Sequence, residues 1–522
     1  MLLNPRGPIL GGISACSGRS LRDLERRRSA YIKLKAMISI QAKKHDNYSV
    51  EFKFGFNCNI DKVCDDFSVN AWVFVPNSLG VNAENYGKKQ FYRDIKSNVR
   101  LITPTYLLRE IAQDQSFPLM SLQNAMEKLL KGQSAADMSL YEYHLKMFAA
   151  IFKSSIRNHS QHIRTVGNIG ADNYLVDDYV SSVDAVLAKF RAMYRIIDVP
   201  TIPEKSRDYF RLCDEFMSHV VAVQTIRIIK HIDSLQDNTG CACARAELAA
   251  LIRREQEYKE CRGYGMVTED QEHNRRLVFH RGMLKKFIES ELYIRLDKKR
   301  DGVAVEQLYY SIAAGIAMIF ATAVAWITQT RFGNITWPLF IALVVSYMLK
   351  DRIKDLMRYY FAHKLGNKYY DHKAIIAIGE NRVGQIKEGF DFISMEKLPL
   401  EVATLRKSAA GIDEEANIVD EKIMLYRKRL SLDDEAFASS DNYPMRGINE
   451  IMRLHLTRFS QKMDNPEVPI DTLDPDGNIK TILVDKIYYI NVVFNLKHDS
   501  ESEYHHFRIA MTRDGVVDVV RL

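Results

Sequence analysis

Cys241-Ala-Cys243, followed by Cys261 and His273, is the densest set of metal-competent side chains in this sequence. Zinc needs four such ligands converging on a tetrahedron, and its sites usually start from a pair with roughly two to four residues between them. Here one residue separates the first pair, 17 separate Cys243 from Cys261, and 11 separate Cys261 from His273. The four are weak metal candidates, and free thiols near a helix start are the expected reading. His159 and His162 share a helical face but have no third ligand spaced with them. His505 and His506 are adjacent in a strand-like stretch, so they point to opposite faces and cannot readily hold one ion. Asp474-Pro-Asp476-Gly-Asn478 opens like a calcium loop. Ile479 stands where such a loop needs glycine and Asp485 where it usually ends in glutamate, so a β-turn is expected instead.

The sequence contains no G-x-G-x-x-G, no G-x-x-x-x-G-K-[ST], no G-x-S-x-G and no H-E-x-x-H. These patterns cradle phosphates, present a nucleophile or hold catalytic zinc. No catalytic residue, cofactor-binding residue or cofactor is assigned on this basis, and the balance leans away from an enzyme.

The chain has 522 residues, 47% apolar and 27% charged, with a net charge of +7. That is folded-protein composition with a mild basic excess. Seven cysteines, an odd and sparse set, point to free thiols in a reducing compartment rather than a disulfide framework. The N-terminus ends a proline- and arginine-interrupted stretch in Ile-Ser-Ala-Cys16. It lacks the continuous apolar core of a secretory signal, so residues 1–44 read as a basic leader, with Met37 as an alternative start.

Two apolar runs dominate the middle of the chain. Leu308–Thr328 has 21 residues without a charge and Ile335–Leu349 has 15. At helical rise the first measures about 31 Å, the thickness of a bilayer's hydrocarbon core. The second is short unless tilt or thinning helps it. Tyr309, Tyr310 and Tyr347 at one end, and Trp326 and Trp337 at the other, form the aromatic belts expected at the two interfaces. Seven basic residues from Arg281 to Arg300 precede the runs, and Lys350, Arg352, Lys354 and Arg358 follow them. Only Arg331 lies between. The positive-inside rule then puts both flanks in the cytoplasm. Ala313, Ala317, Ala321 and Ala325 recur every fourth residue, a small-residue face for helix packing. A two-helix transmembrane hairpin over 308–349 is expected, in a bacterial inner membrane. The segment between the runs is a short extracytoplasmic turn, with Pro338 in the first turn of the second helix.

The flanks divide by period. Tyr48–Asn57 and Phe67–Val75 alternate apolar and polar residues, giving a small β-containing segment over 45–115. Residues 116–300 repeat at helical spacing and read as a helical cytoplasmic domain. Residues 350–370 form a juxtamembrane amphipathic helix. Residues 375–522 read as antiparallel strands over Gly384–Ser394, Glu421–Leu432, Ile451–Phe459, Ile479–Val484, Ile487–Leu496 and Tyr504–Met511. The fold class is membrane-anchored α+β.

The function expected is a membrane-anchored, cytoplasm-facing interaction, scaffold or sensor protein. Its partners would be the lipid bilayer and cytoplasmic proteins. The basic cluster beside the first run suits anionic lipid better than nucleic acid. The alternatives are an oligomeric two-helix channel or transporter subunit, assembled as a homo-oligomer through the alanine face, and an enzyme whose site is scattered in sequence.

Overall fold

The computed structural model describes residues 38–58, 64–132, 134–166, 174–235, 241–333, 337–360, 370–378, 381–408, 421–439, 443, 445 and 447–522. Most of the expected leader, with Cys16 and Met37, lies outside them. So do Asn334–Thr336 of the turn and residues 361–369 of the expected juxtamembrane helix.

The chain is α+β, with strands at both ends and helices between. The strands are β1 (Ile38–Asp46), β2 (Ser49–Asn57), β3 (Cys64–Pro76), β4 (Ile95–Leu101), β5 (Arg295–Arg300), β6 (His372–Ile378), β7 (Asn381–Ile393), β8 (Glu421–Asp433), β9 (Gly447–His455), β10 (Glu467–Leu473), β11 (Ile479–Asp485), β12 (Tyr488–His498), β13 (Glu501–Thr512) and β14 (Gly515–Arg521). The main helices are α1 (Lys88–Asp94), α2 (Phe117–Gly132), α3 (Ala135–Val166), α4 (Tyr174–Ala192), α5 (Glu204–Asp233), α6 (Ala242–Arg262), α7 (Gln271–Ile288), α8 (Val303–Phe332), α9 (Trp337–Tyr360) and α10 (Leu400–Ser408).

Two antiparallel sheets carry the β part. One runs β1-β2-β9-β4 and the other β14-β13-β12-β3-β8-β7-β6-β5. Both mix strands from the two ends of the chain, because β2 pairs with β9 while β3 lies between β12 and β8. Their facing sides share one core. Alternation along β2 turns Phe52, Phe54 and Phe56 to the same side. There Phe52 meets Phe494 at 4.9 Å and Phe507 at 6.0 Å, and Phe56 meets Phe67 at 5.4 Å between ring centroids. A smaller apolar cluster of Trp72, Phe74, Ile423 and Val493 lies on the far side of the large sheet, with Val402 of α10.

One buried charge ties the sheets together. Lys428 on β8 is fully enclosed and bonds Glu450 on β9 and Glu388 on β7, the latter at 3.1 Å. Burial alone would raise the Glu388 pKa, but Lys428 and Lys298 hold it down to about 2. A charge in the core is tolerated only when paired in this way.

Several elements differ from the expected pattern. Residues 38–46, mostly assigned to the leader, form β1, because Ile38 and Ile40 turn inward while β2 supplies the backbone partners. Arg295–Arg300 lies in the segment expected to be helical, yet it forms β5. Every strand residue there except Leu296 is exposed, so pairing with β6 defines it rather than hydrophobic pattern. The strand expected over Ile451–Phe459 stops at His455, and Thr457–Ser460 turns helical.

Candidate functional site

The most unusual surface of the molecule is the pair α8 and α9. They begin and end at one place: β5 leads into α8, and the chain re-enters the same sheet edge as β6, where Arg300 pairs with His372. Gly302, at φ 72°, makes the left-handed turn that starts α8. The helices pack antiparallel. Ser346 Oγ donates to the Ala321 carbonyl at 3.4 Å, and the Arg358 guanidinium sits 5.2 Å over the Tyr310 ring. Ala313, Ala317 and Ser346 are buried, and Ala321 and Ala325 are partly covered. Within this chain, then, the small-residue face lies against its own neighbour.

The large apolar side chains of the pair point outward. Ile319 is 70% exposed, Trp326 73% and Trp337 78%, while Leu308, Met318, Phe340, Ile341, Tyr347 and Met348 are also exposed. Tyr309 and Tyr310 are half-buried. Among the described residues one helix, Val303–Arg331, is long and apolar enough to cross a membrane, and only 11% of its apolar window is covered. The second apolar run does not reach that length. The contacts above set Lys350 level with Ala317 and Lys354 level with Ala313, so α9 becomes charged while α8 is still apolar. The band apolar on both helices is roughly 20 Å long at helical rise.

The weak metal candidates do not converge. Cys241 is buried just ahead of α6, Cys243 is exposed in its first turn, and Cys261 is exposed at the opposite end of the helix. Helical rise alone puts Cys243 and Cys261 about 27 Å apart. The His273 Nε2 lies 3.0 Å from the Met266 carbonyl. His505 and His506 do face opposite ways: one meets Arg521 and the other Asn491. His159 lies 3.8 Å from Asp178. Asp474 closes a β10–β11 turn by accepting from the Asp476 and Asn478 amides.

No family model, curated protein or solved structure matches this chain. Two polar groupings escaped the sequence reading because their members are far apart in the chain. Asp65, His498 and Asp499 could offer three ligand atoms to a cation, with His498 Nε2 2.9 Å from Asp65 Oδ1. In the helical layer, Arg191 forks across Glu255 at 2.9 and 3.0 Å and reaches Asp214 at 3.0 Å. Tyr258 and Tyr264 both donate to Asp214, and Ser218 donates to Glu255. Burial and the Asp214 carboxylate push the Tyr258 hydroxyl up to about 12, so it stays a donor. Burial opposes the charge on Arg191, but Glu255 and Asp214 raise its pKa above the ordinary value. With every strong group already satisfied, this network is suited to locking α4, α5 and α6 together.

Proposed function

We propose that the chain is a membrane-anchored interaction or scaffold protein, held by the α8–α9 hairpin with both flanking parts on the cytoplasmic face. The observation that carries this reading is the outward-facing apolar surface of a helix pair whose two ends return to neighbouring strands. In water such a continuous apolar surface would be costly, and surfaces of this kind mark contact with membrane or protein. Since Arg300 and His372 are strand partners, an inserted hairpin must keep both flanks on one side. Lys298, Lys299 and Arg300 at its base, with Lys350, Arg352, Lys354 and Arg358 on α9, favour the cytoplasmic side.

Two spans are part of this proposal, although the shared apolar band is about 10 Å shorter than a typical hydrocarbon core. Local thinning and snorkelling shorten the requirement. The Lys350 ammonium sits 3.8 Å over the Tyr347 ring, a cation–π contact where the apolar run of α9 ends. Polar Gln329, Thr330 and Arg331 at the tip favour passage to the far interface over burial at the bilayer centre.

Alkaline extraction of membranes tests the anchor. The protein should stay in the pellet, and a variant with Ile319, Ile316, Phe340 and Ile341 changed to serine should be released. Release of the unaltered protein would sink the reading.

A further inference from the structure

The four-stranded sheet turns its apolar side to the core, and its other side is polar apart from Ile451 in the three rows that follow. Lys43, Glu51, Arg453 and Lys96 align across the four strands; the next rows are Gln41, Lys53, Ile451, Asn98 and Ser39, Gly55, Asn449, Arg100. Glu51 is the one carboxylate in these rows, and Lys43 and Arg453 bind it at 3.0 and 2.9 Å. Arg157 of α3 lies near enough for its charge to act on Lys53 and Arg100, and Lys153 of α3 sits between Arg100 and Lys285 of α7, beside Glu289. Glu289 is largely buried; Lys153 bonds it and Arg100 lies 3.6 Å away. Arg100, Lys153 and Arg157 therefore share Glu289, while Lys53 is drawn by Glu51.

Among the described residues neither Lys53 nor Arg157 bonds a carboxylate, although Glu51 and Glu289 attract them from a distance. Among the described residues Lys53 has no hydrogen bond or ion pair, and Arg157 bonds only the neutral Ser154 and Asn158 at 3.4 and 3.3 Å. Burial lowers the pKa of Lys53, and the charges of Arg100 and Arg157 lower it further. Arg157, exposed at the rim, is depressed by the packing around it and by Arg100, with Glu289 opposing. Like charges gathered in a recess destabilise the fold unless an anion completes them.

We propose that the recess between Lys53 and Arg100 on the sheet and Lys153 and Arg157 on α3 binds the phosphate groups of a small, soluble oligophosphate. A guanidinium matches two phosphate oxygens at once, and the lysines add point charges beside it. A small ligand fits better than a duplex, because Arg100 and Lys153 are only 22% and 25% exposed. The aligned sheet rows contain no aromatic side chain, so single-strand stacking has no platform there. Membrane phosphate is also remote. Tyr293 bridges to Arg100, and the extended chain from there to Arg300 at the hairpin base spans about 23 Å.

Calorimetric titration of the full chain in neutral detergent with inorganic pyrophosphate tests this, with sulfate at equal ionic strength as the control. Saturable pyrophosphate binding is expected, at least 10-fold weaker in Lys53→Met and in Arg157→Gln. Glu289→Gln should bind more tightly, a gain that misfolding cannot imitate. No saturable binding, or equal binding in all three variants, would overturn the proposal. So would loss of binding to phosphatidylserine vesicles in those variants without any pyrophosphate binding, which would assign the recess to lipid. None of these outcomes bears on whether the hairpin is the anchor.

Discussion

The Asp301 amide donates to the Asp371 carbonyl at 3.2 Å, although the whole α8–α9 pair lies between them in sequence. The Asp371 carboxylate is fixed in turn by Lys88 at 2.7 Å, Tyr92 at 2.9 Å and the Phe390 amide at 2.8 Å. The hairpin thus departs from and returns to a sheet edge held by hydrogen bonds outside α8 and α9.

Replacing residues 302–370 by a two-residue Asn-Gly turn should therefore leave the β5–β6 pairing intact. The expected product is water-soluble, with an unchanged near-ultraviolet circular dichroism spectrum and a cooperative thermal transition. Aggregation of this variant would show that the hairpin is part of the fold.

Lys428→Met should be among the most destabilising single changes. It strands Glu388 and Glu450 in the core, at a cost of about 3–5 kcal/mol in urea unfolding. A triple variant that also carries Glu388→Gln and Glu450→Gln should recover much of that loss. The ion pair predicts acid sensitivity as well. Glu388 titrates at about 2 when folded, below the ordinary glutamate value near 4.3. Its contribution is complete above about pH 5 and disappears as pH falls toward 2.

His144 gives a second pH window. Burial and the Lys128 charge lower its pKa to about 4, and its Nδ1 lies 3.1 Å from the Tyr443 hydroxyl. The unfolded chain takes up this proton first, so stability should fall between about pH 6.5 and 4, by on the order of 3 kcal/mol. Urea midpoints measured across this range should flatten in His144→Gln. An unchanged slope would remove His144 as the cause.

Arg191→Lys should loosen the helical layer. Lysine keeps the charge but loses the fork across Glu255 and the stacking of the guanidinium 3.5 Å from the Tyr258 ring centre. A loss of about 1–3 kcal/mol is expected. Hydrogen exchange should speed up in α4 and α6 ahead of the sheets.

Local pattern revealed the elements whose structure is locally caused. The alternating phenylalanines of β2, the apolar run of α8 and the strand at Glu421–Asp433 all appear where the sequence suggests. What stayed hidden is nonlocal. Nothing in Tyr48–Asn57 names Ile451 as the neighbour of Lys53, so neither the mixed sheets nor the basic recess could be read from spacing. β10 escaped because it is exposed throughout and contains Pro469, and only its pairing with β11 defines it. The offset between α8 and α9 was hidden too, since two apolar runs do not reveal which residues lie level.

The most direct measurement is the sidedness of the hairpin tip. In intact cells carrying a variant with its native cysteines replaced by serine, a cysteine at Thr330 or at Leu522 would be challenged with a membrane-impermeant thiol reagent. Labelling at Thr330 from outside, with Leu522 reacting only after permeabilisation, is the predicted result. Labelling of Leu522 from outside, or of Thr330 only after permeabilisation, would contradict a spanning hairpin with both flanks in the cytoplasm.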